Sequence, residues 1–83
     1  MRAKESVRDF IGRQLLLNPA AAPGDDDELL LSGVIDSLAV MRLLAHIETG
    51  FGIAIPPEDV VIEHFQTVNA IAAYLESRGV ATS

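Results

Sequence analysis

Gly33-Val34-Ile35-Asp36-Ser37-Leu38, with the apolar run that follows it as far as Gly52, decides how this chain folds. Asp36 has the chemistry of a helix N-cap, a short carboxylate able to accept the unpaired N–H groups of a first turn. Ser37 then falls on the first residue of that helix. Beyond it Val40, Leu43, Leu44, Ile47 and Phe51 recur at the spacing of one buried helical stripe. Gly50 and Gly52 close the pattern. The reading predicts a central helix over 37–50, roughly 21 Å long, that holds a serine hydroxyl at its N-terminus.

Upstream, residues 4–17 read as a first helix with Val7, Phe10, Ile11 and Leu15 on its apolar face. Gly12 costs about 1 kcal/mol there relative to alanine, and a close crossing by another helix would account for it. Asn18-Pro19 ends the helix, because proline disfavours a helical residue before it. Residues 18–36 form a connection that is long for a compact domain. Its first part, Pro19 to Gly24, is small and turn-prone; the acids Asp25, Asp26, Asp27 and Glu28 follow. Leu29, Leu30 and Leu31 are expected to pin the loop to the core, with a short helical turn near 26–31. Ser32-Gly33 then turns the chain toward the central helix.

Downstream, Ile53 to Pro57 is extended because its prolines force it. Pro57-Glu58-Asp59 resembles a helix start, with acids beside the positive end of the dipole. A short third helix is expected within 57–65, with Val60, Val61, Ile62 and Phe65 partly buried. Thr67 is a natural N-cap for a last helix over 68–78, whose stripe is Val68, Ile71, Ala72 and Leu75. Arg78 suits the negative end of that helix, Gly79 is a natural C′ residue, and residues 80–83 read as a frayed tail. The expected architecture is all-α: a four-helix bundle of three longer helices and a short third, with a long first loop. One domain over 1–83, ordered over about 5–78, is the expectation for this length.

Composition narrows the function. Of 83 residues, 49% are hydrophobic and only 5% aromatic, which suits a small core of Leu, Ile, Val and Ala. With no cysteine, disulfides and thiolate metal sites are excluded, and nothing points to an oxidising compartment. No apolar run reaches the ~20 residues of a membrane span. No signal peptide is visible either, so the cytoplasm is the expected location. The net charge of −6 is unevenly placed: the first fourteen residues carry +2 and the remainder −8. Nucleic acid is not the expected partner, since phosphate contacts need clustered Lys and Arg. The acids either keep the surface hydrated or speed encounter with basic partner faces.

An enzyme built on Ser37 would need His46 or His64 as its base. His46 lies nine residues along the same helix, about 13 Å away, and a chain this small has little room for a substrate pocket. The acids at 25–28 lack the alternating ligands, central glycine and terminal glutamate of an EF-hand loop.

Together, Asp36-Ser37-Leu38 opening the second of four helices, Phe51-Gly52-Ile53-Ala54-Ile55-Pro56 after it, and Phe65-Gln66-Thr67-Val68 leading into the last helix resemble the acyl and peptidyl carrier proteins. The resemblance covers roughly residues 5–78. It implies that Ser37 takes 4′-phosphopantetheine from coenzyme A through a separate Mg²⁺-dependent phosphopantetheinyl transferase, with substrates riding on the arm's thiol as thioesters. It further implies that the chain is not itself catalytic, and that Asp36 caps the helix and serves transferase recognition. Leu38, Met41, Arg42, Ala45 and Glu48 are then candidates for contact with partner enzymes: the transferase, an acyl- or aminoacyl-loading enzyme and a downstream acyltransferase or synthase. Leu38 reads equally as contact and as core, and Met41 otherwise as the edge of the core. A monomer is the expected state.

Fatty-acid carriers resemble Gly-Ala-Asp-Ser-Leu-Asp followed by a helix crowded with glutamates. Here Ala39 follows Leu38, and Arg42 stands where an acid is usual. The stretch is more similar to discrete carriers of amino or specialised acyl groups, such as D-alanyl carriers and free-standing carriers of polyketide or nonribosomal peptide pathways, and a specialised pathway of the latter kind is the expectation. A fatty-acid carrier, a D-alanyl carrier and a cofactor-free helical interaction module are the alternatives.

Overall fold

The computed structural model of this chain describes residues 3–30, 33 and 35–80. Leu31 and Ser32, assigned above to the loop anchor and the turn, lie outside the described residues, as do Val34 and the last three residues of the tail. Among the described residues there are four α-helices: α1 (Ala3–Phe10), α2 (Ser37–Phe51), α3 (Ile62–Phe65) and α4 (Val68–Ser77). No strand occurs among the described residues. Helix α1 packs against both α2 and α4, and α3 packs against α4. The core between them is Val7 and Ile11 from the first helical stretch, Leu43, Leu44 and Ile47 from α2, Phe65 from α3, and Val68, Ile71 and Leu75 from α4. These are the stripes that helical periodicity picks out, and burying each such side chain contributes about 1.5–3 kcal/mol.

The first helix differs from its expected form. It is α-helical to Phe10 and then widens into a π-helical turn over Ile11–Leu15. The Leu16 amide donates to the Ile11 carbonyl at 2.9 Å and the Asn18 amide to the Gly12 carbonyl at 2.7 Å. Gly12 is buried in this turn, while Phe10 and Leu15 are half-buried at the core's edge. The turn ends at Leu17, which is 80% exposed and has φ of 56°. That is the left-handed conformation in which helices commonly end, usually on glycine.

The long connection is not a free loop. A short 3₁₀ turn over Pro19–Ala21 stands in place of the expected one near 26–31. Leu29 is fully buried and Ile35 nearly so. The Leu29 amide donates to the Gln66 carbonyl at 2.8 Å, and the Ile35 amide to the Leu29 carbonyl at 3.0 Å. The acid run is spent on the same task. Asp25 lies 2.9 Å from Arg8 and 3.6 Å from Lys4, and its carbonyl accepts the Asn69 amide at the start of α4. Asp26 accepts from the Asn69 side chain at 2.6 Å, and Asp27 from the Gly24 amide at 2.8 Å. Elements that are separate in sequence are thereby tied to one loop.

The third helix is also corrected. Pro57–Asp59 is a 3₁₀ turn, and α3 begins only at Ile62. Val60, Val61 and Ile62, expected to be partly buried, are exposed, Ile62 by 51%. Val60 and Val61 join the 3₁₀ turn to α3, with Val61 in extended backbone, and Phe65 alone of this segment fills the core. Helix α4 begins as expected, with Thr67 Oγ1 accepting the Ala70 amide at 3.0 Å.

Leu17 yields a stability prediction. A non-glycine residue in the left-handed region costs roughly 1–2 kcal/mol, glycine restores part of that as chain entropy, and no buried side chain is lost. Leu17→Gly should therefore stabilise the fold by about 0.5–1 kcal/mol, read as a thermal midpoint several degrees higher.

Candidate functional site

Helix α2 starts where the N-cap chemistry places it. Asp36 is extended, at φ −103° and ψ −176°, and its Oδ1 accepts the Ala39 amide at 2.8 Å. That satisfies one of the unpaired donors of the first turn. Ser37 follows as the first helical residue and is exposed. Its hydroxyl therefore stands at the positive end of a helix of 15 residues, where backbone N–H groups and the dipole favour an anion.

Beside Ser37 lies an open groove of about 530 Å³. One wall is Val40 and Met41 of α2, and the other is formed by Val60, Val61 and Ile62, with Phe65 behind. Residues that failed to enter the core thus form a predominantly apolar trough that opens next to a hydroxyl. Met41 is 61% exposed and belongs to this wall, while Leu38 is 74% exposed and has no part in the core. Arg42 and Ala45 are exposed on the same helix.

Glu48 requires correction. It was expected to face partners, but it is half-buried and its Oε2 accepts the Ile55 amide at 2.8 Å. The left-handed Gly52, whose amide donates to the Glu48 carbonyl at 3.0 Å, reverses the chain and brings Ile55 back to this side chain. Glu48 therefore staples the segment after α2 to the helix.

Each histidine has partners of its own. His46 shares a hydrogen bond with Ser6 Oγ at 3.1 Å and stacks on Phe10, with ring centres 4.3 Å apart. His64 donates from Nδ1 to the Asp59 carbonyl at 2.8 Å and stacks on Tyr74 at 4.7 Å. Among the described residues no group of three or more His, Asp or Glu is arranged to hold a metal ion.

Tyr74, which sequence reading passed over, closes a clasp that supports the outer wall of the groove. Its hydroxyl donates to Asp59 Oδ2 at 2.7 Å and accepts from Arg78 Nη1 at 2.8 Å. Arg78 also donates to the Ala54 carbonyl at 3.0 Å and lies 3.6 Å from Asp59. The chain leading into Val60 is thus fixed to α4. An aromatic among alanines three residues after Ile71 was the only signal available in the sequence. Burial, and next the hydrogen bond to Asp59, raise the Tyr74 phenol above its ordinary value of 10.0.

Residues 5–75 match the family described as the phosphopantetheine attachment site. The chain is 33% identical over 76 residues to the D-alanyl carrier protein of Streptococcus equi subsp. zooepidemicus, which is 92% of this chain and 94% of that one. It is 33% identical over 81 residues to the acyl carrier protein of Bdellovibrio bacteriovorus, 98% of this chain and 100% of that one. Its fold is similar to a chain of the solved structure described as "Crystal structure of FAD-dependent dehydrogenase", with TM-score 0.74 and 37% identity, covering 82% of this chain and 96% of that one. A match this extensive places the chain in the phosphopantetheine-binding carrier family. The group it carries is a covalent 4′-phosphopantetheine, and carriers of this family work with a phosphopantetheinyl transferase and further partner enzymes without being catalytic themselves. No helix among the described residues is long and apolar enough to cross a membrane.

Two predictions follow from the geometry around the groove. Glu48→Ala leaves the Ile55 amide without its acceptor and should cost about 1 kcal/mol, seen as a lower urea midpoint with an unchanged slope. For Tyr74, a phenol pKa raised in the folded state favours the neutral form. Its stabilisation is complete below the unfolded value of 10.0 and is lost as pH climbs from there through the folded pKa. Unfolding midpoints followed on the alkaline side should show that loss in the wild type, and a smaller one in Tyr74→Phe.

Proposed function

We propose that Ser37 is the residue that bears the 4′-phosphopantetheine arm, and that the chain carries acyl or aminoacyl thioesters in a specialised pathway of the polyketide or nonribosomal peptide type. One observation supports the attachment point above the rest: an exposed hydroxyl on the first residue of a capped helix. A phosphodiester formed there gains the helix dipole and free amides of the first turn, and Asp36 keeps that turn in place. The groove walled by Val40, Met41 and Ile62 gives an arm rooted at Ser37 an apolar surface to lie along. The cofactor supplies the thiol that this cysteine-free chain lacks, so loading chemistry happens on the arm.

The exposed apolar residues of α2, Leu38, Met41 and Ala45, form the face that partner enzymes meet. Support for a specialised pathway comes from two sides. Helix α2 carries one acid, Glu48, and that acid is engaged with the backbone. While the relatives named D-alanyl carrier protein favour the D-alanyl alternative, a similar solved chain comes from a structure described as "Crystal structure of FAD-dependent dehydrogenase". We therefore include oxidation of the tethered group by a flavin-dependent dehydrogenase among the steps this carrier serves.

The test is intact-protein mass after coexpression with a broad-specificity phosphopantetheinyl transferase. Wild type should gain one phosphopantetheine. Ser37→Ala should gain none while its unfolding free energy stays within about 0.5 kcal/mol of wild type, as expected for an exposed position. Modification of Ser37→Ala would move the attachment point elsewhere. The mass of the group on the thiol, isolated from the source cell, decides among specialised, fatty-acid and D-alanyl cargo.

A further inference from the structure

The exposed ridge of α2 has an unusual charge pattern for a chain of net charge −6. Leu38, Met41, Ala45 and Thr49 are exposed along it, and Arg42 stands among them. The helix has two residues of fixed charge, Arg42 and Glu48, and Glu48 is turned to the Ile55 amide. Every other described Lys or Arg has an acidic partner. Lys4 and Arg8 meet Asp25, Arg13 meets Asp9 at 2.6 Å, and Arg78 meets Asp59. Among the described residues, Arg42 alone has none, although the surrounding chain is rich in carboxylates.

We propose that Arg42 is a specificity-determining residue that selects partner enzymes whose docking face is apolar and offers it a carboxylate. This deepens the carrier reading above and rests on it. The net charge of the chain draws cationic surfaces toward it from a distance. At contact the sign reverses, because a basic residue seated on the α2 ridge meets a like charge. A carboxylate there pairs with the guanidinium fork, which is built for two parallel hydrogen bonds. The apolar side chains around Arg42 exclude water when a partner seats, and that strengthens the pair relative to an open surface pair. The α2 ridge lies beside Ser37, so this discrimination acts where a partner must approach the arm.

Two phosphopantetheinyl transferases of known structure serve as probes, one with a basic docking surface and one with an apolar docking surface bearing an Asp or Glu. Their kcat/KM for modification of wild type, Arg42→Glu and Arg42→Lys is measured at low and high salt, with the thermal midpoint of each variant. With the acid-bearing enzyme, Arg42→Glu should lose about tenfold, mainly through KM, and the loss should shrink at high salt. With the basic enzyme the same variant should gain. Arg42→Lys, which keeps the charge but not the fork, should fall between wild type and Arg42→Glu, and exchanging the enzyme's carboxylate for lysine should rescue Arg42→Glu. Midpoints should not move, since Arg42 is exposed and has no ion pair among the described residues. A change below about twofold with both enzymes, the range of an idle surface charge, overturns the proposal, as does an equal loss with both. Wild type left unmodified by either enzyme overturns the carrier reading itself and this inference with it.

Discussion

Burial of Leu29 and Ile35, joined by the bond from the Ile35 amide to the Leu29 carbonyl, is the constraint on which the rest depends. The connection from α1 to α2 is long, and closing a long loop costs chain entropy with no reward from its own secondary structure. Two apolar side chains and two backbone hydrogen bonds, Leu29 to Gln66 and Ile35 to Leu29, offset that cost. Asp36 is the next residue after Ile35, so anchoring the loop also fixes where α2 begins. The cap, the serine and the groove inherit their positions from that anchor.

The same loop links the other elements electrostatically. Asp25 receives Lys4 and Arg8 from α1, while its carbonyl and Asp26 receive Asn69 from α4. Individually these are part-exposed pairs of small worth. Their arrangement matters more than their sum, because together they join two helices, α1 and α4, to one segment. A run of acids that looks like solvent decoration is in this way part of the tertiary structure.

Much of this was legible in the sequence. The stripe of α2, its Asp36 cap, and Thr67 with the stripe of α4 follow from local periodicity and hydrogen-bonding chemistry, and both helices start where those rules place them. The combination of Asp36-Ser37-Leu38 with the segments around Phe51 and Phe65 identified the family. What was hidden depends on contacts between distant residues. Glu48 looks like a surface charge until the chain reversal at Gly52 brings back Ile55. Val60 to Ile62 look like core until Phe65 is seen to take that place. Tyr74 looks like an isolated aromatic until Asp59 and Arg78 meet over it. The π turn after Phe10 is defined by its backbone hydrogen bonds, which the pattern of side chains does not report.

A capped helix start has a mechanical meaning for anything attached to it. Ser37 sits on a turn whose amides are tied to Asp36 and whose helix is clamped by Leu43, Leu44 and Ile47. An arm attached at Ser37, as proposed, has a stationary pivot. All of its reach would then come from rotation about its own bonds, and every enzyme that receives the cargo would meet the same point of origin and the same initial heading. Delivery becomes a problem of orienting two rigid bodies, with the tether as the one moving part.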